Sequence, residues 1–409
     1  MSVDEVRRRY IVLLALRWLP VGLVEPIFVL VLSRGASLTQ LGPLLAVYSV
    51  TTAALELPTG GLADSIGRRP VLLASALCNV GLFALLLAST DLRVLAVALF
   101  LGGVGRALDS GPLESWFVDE SKAADADVDV RIGLSRGGAV DGLALAVGSI
   151  VGGLVPQLAG GRLWATVLLA LVLEGVHLVA VYVLMNEERP ARSRNRADGI
   201  AAFANVRTGL GFAVRAGSLR RTIAGGALIG AALVAVEALW QPRFLELLDR
   251  DDATIFLGAL LAVGFAGGAA GAALGPAFGR RIGRRASPTM TAQLLAGSML
   301  ALLGVVTQPV VAALVFVFFY TFLGVTGPLR SALLHEHTAS EQRSTTLSVD
   351  SLLFQAGGVV AALTLTALAD SRGIGMAWIA AGACLAASSL LYAGSDRAGP
   401  GRRYPGPAS

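Results

Sequence analysis

Gly60-Gly-Leu-Ala-Asp64-Ser-Ile-Gly67-Arg68-Arg69 is a short charged hairpin set between two long apolar runs. Gly60 lets one helix end approach its neighbours closely, and Gly67 permits a tight reversal that an L-residue resists. Asp64 and the two arginines put charge at the edge of an apolar layer, where it can pair or meet a helix terminus. On these residues alone, Arg68-Arg69 reads equally well as a topology anchor for the flanking helices.

Composition decides what kind of layer this is. The chain has 409 residues, of which 55% are hydrophobic and only 15% charged. Soluble domains carry about 25% charged residues, so the chain reads as a polytopic membrane protein. A spanning helix needs about 20 apolar residues, which leaves room for short loops and no sizeable soluble domain. The net charge of +5 reports orientation in such a protein, and no aromatic-basic interleaving suggests a nucleic-acid partner. Cys78 and Cys384 lie far apart inside apolar runs, so neither a metal site nor a disulfide framework is implied. Arg7-Arg8-Arg9 before an apolar run looks like a signal peptide, but the run is too long, contains Arg17 and lacks a small-x-small cleavage site. It is read as a first span.

Hydropathy predicts twelve helices at about 10–32, 40–63, 70–90, 93–119, 132–156, 163–185, 222–247, 254–278, 288–307, 310–333, 345–369 and 374–394. The expected organisation is a six-helix bundle over 1–185, a basic cytoplasmic linker over 186–221, a second six-helix bundle over 222–394 and a cytoplasmic tail over 395–409. Within the linker, Ile200 to Val214 has loosely helical apolar spacing, which fits a surface helix as well as a disordered segment. Alternate loops differ sharply in charge: 25 of the 33 Lys and Arg fall on the side of the termini and the opening hairpin, and six on the other. That bias places both termini and the hairpin in the cytoplasm.

The two halves repeat at an offset of 216 residues. Pro26 falls on Pro242, Phe28 on Phe244, Gly42 on Gly258, Gly67-Arg68-Arg69 on Gly283-Arg284-Arg285, and Gly111-Pro112-Leu113 on Gly327-Pro328-Leu329. One constant offset across separate helices is the mark of two six-helix halves related by an axis along the membrane normal. Arg280 stands where Asp64 stands in the first copy, so the acidic function is present once.

The opening hairpin resembles the signature Gly-x-x-x-Asp-x-x-Gly-Arg-Arg/Lys between the second and third helices of major facilitator superfamily transporters. Glu56-Leu-Pro58-Thr-Gly60 and Gly105-x5-Gly111-x-x-Glu114-x4-Asp119 are similar to bacterial twelve-helix drug and metabolite exporters of that superfamily. Gly148-Ser-Ile-Val-Gly152-Gly153 is a variant of the antiporter pattern Gly-Pro-x-x-Gly-Gly, with Ser149 in place of proline. The resemblance covers nearly the whole chain. It implies an all-α polytopic fold of two pseudo-symmetric six-helix bundles. It also implies a gate in which Asp64 faces the start of the eleventh helix near Ser344-Thr345-Thr346, with Arg68 and Asp119 supporting it and Gly60, Gly67 and Arg69 shaping the turn.

Ionisable groups inside spans are the remaining candidates, because each costs roughly 2.5–3.5 kcal/mol at a helix centre on insertion scales and therefore faces a cavity or a partner. Arg106 and Asp109 lie three residues apart on one face of the fourth helix. By resemblance that helix lines the central cavity, so the pair is a candidate for substrate or proton coupling, or else a self-neutralising structural pair. Glu25 before Pro26 and Glu237 before Trp240-Gln241-Pro242 lie in the first and seventh helices. They can bind a cation, exchange a proton or make interhelical hydrogen bonds. Arg17 is two turns from Glu25 and is not its partner. Glu174 and His177 read as a buried polar pair; Asp141 and Asp350 could serve a gate; His335 and His337 read as a solvated helix end. Aromatics of the cavity helices, Trp18, Phe28, Trp116, Trp240, Phe244, Phe318 and Phe319, are expected to give an apolar lining, with some of them facing lipid.

No catalytic constellation or nucleotide loop is visible, so an enzyme is not expected, nor a cofactor other than a proton gradient. The expected activity is proton-coupled export of an amphipathic or hydrophobic small molecule by alternating access, by a monomer embedded in the cytoplasmic (inner) membrane. Proton symport of a nutrient or metabolite is the alternative, with Arg106 then anchoring a carboxylate or phosphate. A sensor that binds without transport is the third.

Overall fold

The computed structural model describes residues 1–187, 217–249, 253–283, 287–336, 338 and 343–393, with the backbone alone at 57–61, 64–65 and 343–345. The chain opens with α1 (Val3–Val24), whose N-cap Ser2 accepts from the Glu5 N–H. Pro26 has no N–H to continue the ladder, and the helix tightens into a 3-10 turn at Glu25–Ile27 before α2 (Phe28–Leu32). Then follow α3 (Leu38–Ile66), α4 (Arg68–Ala88), α5 (Leu92–Leu108), α6 (Pro112–Ala124), α7 (Val130–Leu158) and α8 (Trp164–Leu184). The second half holds α9 (Gly217–Leu248), α10 (Thr254–Ile282), α11 (Ser287–Val305), α12 (Pro309–Glu336), α13 (Arg343–Arg372) and α14 (Ile374–Ser388), the last closed by a 3-10 turn at Ser389–Tyr392.

Among the described residues eleven helical segments are long and apolar enough to cross a membrane. The twelfth crossing is the fourth. It was expected as one helix over 93–119 and is instead divided between α5 and α6. Gly111 takes φ +97°, a left-handed conformation, and Pro112 starts the next helix. The opening hairpin is also tighter than expected. α3 runs through Gly60 and Asp64 to Ile66, and Gly67 alone, at φ +99°, turns the chain into α4. One end differs: Gly217–Arg221, expected in the linker, already belong to α9. The eleventh span begins near Ser344-Thr345-Thr346 as expected, with α13 starting at Arg343. The expected surface helix at Ile200–Val214, the repeat arginines Arg284 and Arg285, His337 and the tail from 395 fall outside the described residues. Asp129 caps α7, and side-chain and backbone hydrogen bonds from Arg131 hold its carboxyl below the usual aspartate range.

The halves meet along two equivalent seams, α3 against α13 and α7 against α10. At the end of the bundle away from Gly67 these seams are tight. The Thr254 hydroxyl donates to the Gly153 carbonyl at 2.8 Å, and the Thr39 hydroxyl to Asp370 at 2.8 Å. A Cβ on Gly258 would stand 2.3 Å from the Ser149 carbonyl oxygen, so only glycine lets the backbones approach this closely. Toward the hairpin end the α7–α10 seam opens. Gly142 and Gly138 continue the face of Gly153 and Ser149, yet nothing lies within 4 Å of where their Cβ atoms would be. The α7–α10 seam is thus closed at the far end and parted toward the hairpin end, while on the hairpin side of the α3–α13 seam the Ser351 hydroxyl still donates to Glu56 at 3.1 Å.

Candidate functional site

Between the halves lie two groups of ionisable side chains. The first is built from α1, α5, α6 and α7. Arg17 and Asp109 are each only 8% exposed, and the Arg17 Nε contacts an Asp109 carboxylate oxygen. The same guanidinium donates to the Asp109 backbone carbonyl at 3.1 Å and to Glu114 Oε1 at 3.3 Å. The guanidiniums of Arg17 and Arg106 lie 5.1 Å and 5.7 Å from the centre of the Trp18 ring, within the range of a cation–π contact. The expected Arg106–Asp109 pair is therefore not an ion pair. Asp109 is taken by Arg17, which spacing within one helix could not reveal. Among the described residues no hydrogen bond or ion pair engages Arg106, and Asp109 Oδ1, Glu114 Oε2, Asp141 Oδ1 and the Trp18 Nε1 are buried without a hydrogen-bond partner.

The second group joins the halves. Glu25 sits in the 3-10 turn of the first span, and Glu237 lies in α9, one helical turn before Gln241. Tyr320 is within reach of both, and Tyr48 within reach of both and of Arg106 and Asp109, so the two groups share one interior. Among the described residues neither Glu25 nor Glu237 has a cationic partner within salt-bridge distance. Beside them, Gln241 clasps the broken first span. Its Oε1 accepts from the Val29 and Leu30 N–H groups at 2.8 Å and 3.3 Å, and its Nε2 donates to the Glu25 carbonyl at 2.6 Å. Gln241 is the residue 216 positions after Glu25, so the two equivalent positions of the repeat meet each other.

At the hairpin Arg68 pairs with Asp119 at 2.6 Å, and Arg69 lies 4.8 Å from the centre of the Tyr182 ring. The side chain of Asp64, and with it the expected latch to the start of α13, lies outside the described residues, as does any contact of a Gly60 neighbour through its side chain. One residue that sequence reasoning missed completes the turn. The Glu187 carboxylate accepts from the backbone N–H groups of Arg68 and Arg69 at 3.0 Å and 3.1 Å, capping α4. An acid just after the sixth span gives no signal by spacing; only the preference of helix N-termini for anions points to it. Asp350, considered for a gate, pairs with Arg330 inside the second half. Glu174 and His177 meet at 3.1 Å, both buried. The expected aromatic lining is corrected: Trp116, Trp240, Phe244 and Phe319 are buried in helix packing, because such large rings gain most from full burial, and Phe318 is 51% exposed. Trp18 and Phe28 remain partly open. Among the described residues no three His, Cys, Asp or Glu side chains gather to hold a metal ion.

The sequence profile of the Major Facilitator Superfamily matches residues 11–362. The chain belongs to the Major Facilitator Superfamily. Among curated proteins the sequence finds no match. Solved structures of the superfamily's fold align over nearly the whole chain. The nucleoside transporter NupG is 12% identical with a TM-score of 0.75, covering 95% of this chain and 98% of its own. A POT family transporter in complex with 5-aminolevulinic acid is 13% identical with a TM-score of 0.71, covering 96% and 98%. The human organic anion transporter MFSD10 (TETRAN) is 18% identical with a TM-score of 0.62, covering 96% and 100%. At such identities the likeness is one of fold, and the cargo has to be read from this chain's own residues.

Proposed function

We propose that the chain is a secondary active transporter that exports an amphipathic or hydrophobic small molecule in exchange for protons, with Glu25 and Glu237 as the proton-binding pair. The observation that carries this reading is geometric: Glu237 stands one helical turn before Gln241, whose Nε2 donates to the Glu25 carbonyl, so an acid from each half flanks one contact and neither has a salt-bridge partner among the described residues. Glu25 is half-buried and Glu237 is exposed to the space between the halves; ionised together they repel, and a proton on either relieves that cost. They flank the Gln241 clasp, so protonation favours the closure at that end, and loss of the proton favours parting. With the hairpin end in the cytoplasm, as the charge bias supports, protons taken up outside are released inside, and cargo loads where the α7–α10 seam parts on the hairpin side. The protein acts in the cell membrane with both termini cytoplasmic, as a monomer of two six-helix bundles joined by the 186–221 linker, and the proton gradient replaces any cofactor. Arg68 and Asp119, with Asp64 and the hairpin glycines, serve the cytoplasmic gate.

The test is flux in sealed vesicles with an imposed pH gradient. In Glu25→Gln and Glu237→Gln, gradient-driven flux should fall by about ten-fold or more, while exchange of labelled for unlabelled cargo without a gradient persists. Unchanged gradient dependence in both variants sinks the proton pair. Flux that runs with the gradient instead of against it replaces export with symport.

A further inference from the structure

Arg106 has a use that the proton pair does not require. On α5 it lies nine residues from Val97, which is 52% exposed, and nine residues turn a helix by half a revolution. It lies three and four residues from Gly103 and Gly102, whose faces press on Thr51 and Tyr48 of α3. Arg106 is exposed, then, on the side of the helix turned away from Val97, and it shares the surroundings of Tyr48 with Glu25 and Glu237. Its exposure is toward the space between the halves. There it has a ring to lie on and, among the described residues, nothing to bond. A guanidinium stacked on an indole keeps its edge N–H groups free, in the fork geometry that fits a carboxylate. The Trp18 Nε1–H, buried and without a partner, is one more donor awaiting an acceptor. Asp109 and Glu114 each give one carboxylate oxygen to Arg17, which leaves Arg106 as the cation of this group without an ion pair among the described residues.

The opposite wall is of another kind. At the offset of 216, Arg17 falls on Leu233, Trp18 on Val234, Arg106 on Phe322, Asp109 on Val325 and Asp141 on Gly357. From Pro309 to Leu329, α12 holds no Asp, Glu, Lys, Arg or His. The first half offers charge, and α12 of the second offers an apolar face, with Glu237 of α9 as the acid of that half.

We propose that the cargo is an amphipathic organic anion, its carboxylate held by Arg106 against Trp18 and its apolar part laid along α12. This rests on the reading of the interior as a cargo site, and it is independent of which groups carry protons. The test is equilibrium binding to the purified full chain in lipid nanodiscs. Dansyl-labelled undecanoate, its alcohol and its amine are compared by energy transfer from the protein's tryptophans, counting only the signal displaced by excess unlabelled compound. Undecanoate should bind about ten-fold tighter than the alcohol, with the amine weakest. Arg106→Gln should erase that order, and Arg106→Lys, which keeps the charge, should retain part of it and shows that the fold survives substitution. Absence of displaceable undecanoate binding, tighter binding of the amine, or the same order in Arg106→Gln overturns the assignment. Because binding is read without transport, failed proton coupling with the order intact removes the proton pair and leaves the anion site standing. The reverse result removes the anion site alone.

Discussion

Arg17 had no partner that spacing could assign, since it lies two turns from Glu25 in the same span. It proves to be the hub of the first group, because its partners come from α5 and α6. Ion pairs within a helix can be read from spacing, whereas pairs between helices need the packing. Removing one member of a buried pair strands the other, at a cost of about 3–5 kcal/mol, while replacing both with apolar groups is often neutral. The repeat supplies such a replacement, Leu233 and Val325 at the equivalent positions. Arg17→Leu should therefore lower the thermal midpoint strongly, and Arg17→Leu combined with Asp109→Val should recover most of the loss. A double variant no more stable than the single one would show that Arg17 acts through Glu114 or Trp18 instead. Recovery in the double variant would mark the Arg17–Asp109 pair as structural and leave Arg106 as the free charge of the sequence's candidate couple.

At the scale of elements, periodicity located the spans well, and proline chemistry pointed to the break at Pro26 but not to the one at Gly111-Pro112. Pro26 interrupts the first span and Pro112 begins a new helix in the fourth, yet Pro242 and Pro328, their repeat partners, lie inside α9 and α12 without ending them. The tripeptide Gly-Pro-Leu is the same in both halves, so local sequence cannot decide. The difference is what receives the backbone groups. In the first half the Arg17 guanidinium takes the Asp109 carbonyl at the break, and in the second Leu233 has nothing to offer. Gly111 is left at φ +97°, where an L-residue costs about 1–2 kcal/mol, although nothing crowds its Cβ position. Gly327 has equally open surroundings within an intact helix, where Ala is favoured over Gly by about 1 kcal/mol. Thermal unfolding should thus fall in Gly111→Ala and stay level or rise in Gly327→Ala. Equal changes of one sign would mean that the break is not fixed by Gly111.

For the whole molecule, the offset of 216 carried more than a fold assignment. It placed Gln241 opposite Glu25 as an equivalent position, and the structure brings those two together at the clasp. What no sequence could show is which end is shut, since both arrangements of the halves use the same helices. The glycine seam makes the closure testable. At Gly258 a Cβ meets the Ser149 carbonyl oxygen at 2.3 Å and the Gly153 Cα at 3.1 Å, backbone atoms that cannot yield by rotating a side chain. Gly258→Ala must push α10 from α7 there, and the balance shifts toward the arrangement open at the far end. Gly142→Ala lies on the same seam, where nothing stands within 4 Å, and should shift nothing. Spin labels at Leu158 and Ile255, 78% and 49% exposed near that end, report the separation by pulsed dipolar spectroscopy. A longer distance population is expected in Gly258→Ala and the wild-type distribution in Gly142→Ala. If Gly258→Ala keeps the wild-type distribution, the seam is not what holds the far end closed, and the Gln241 clasp must do so alone.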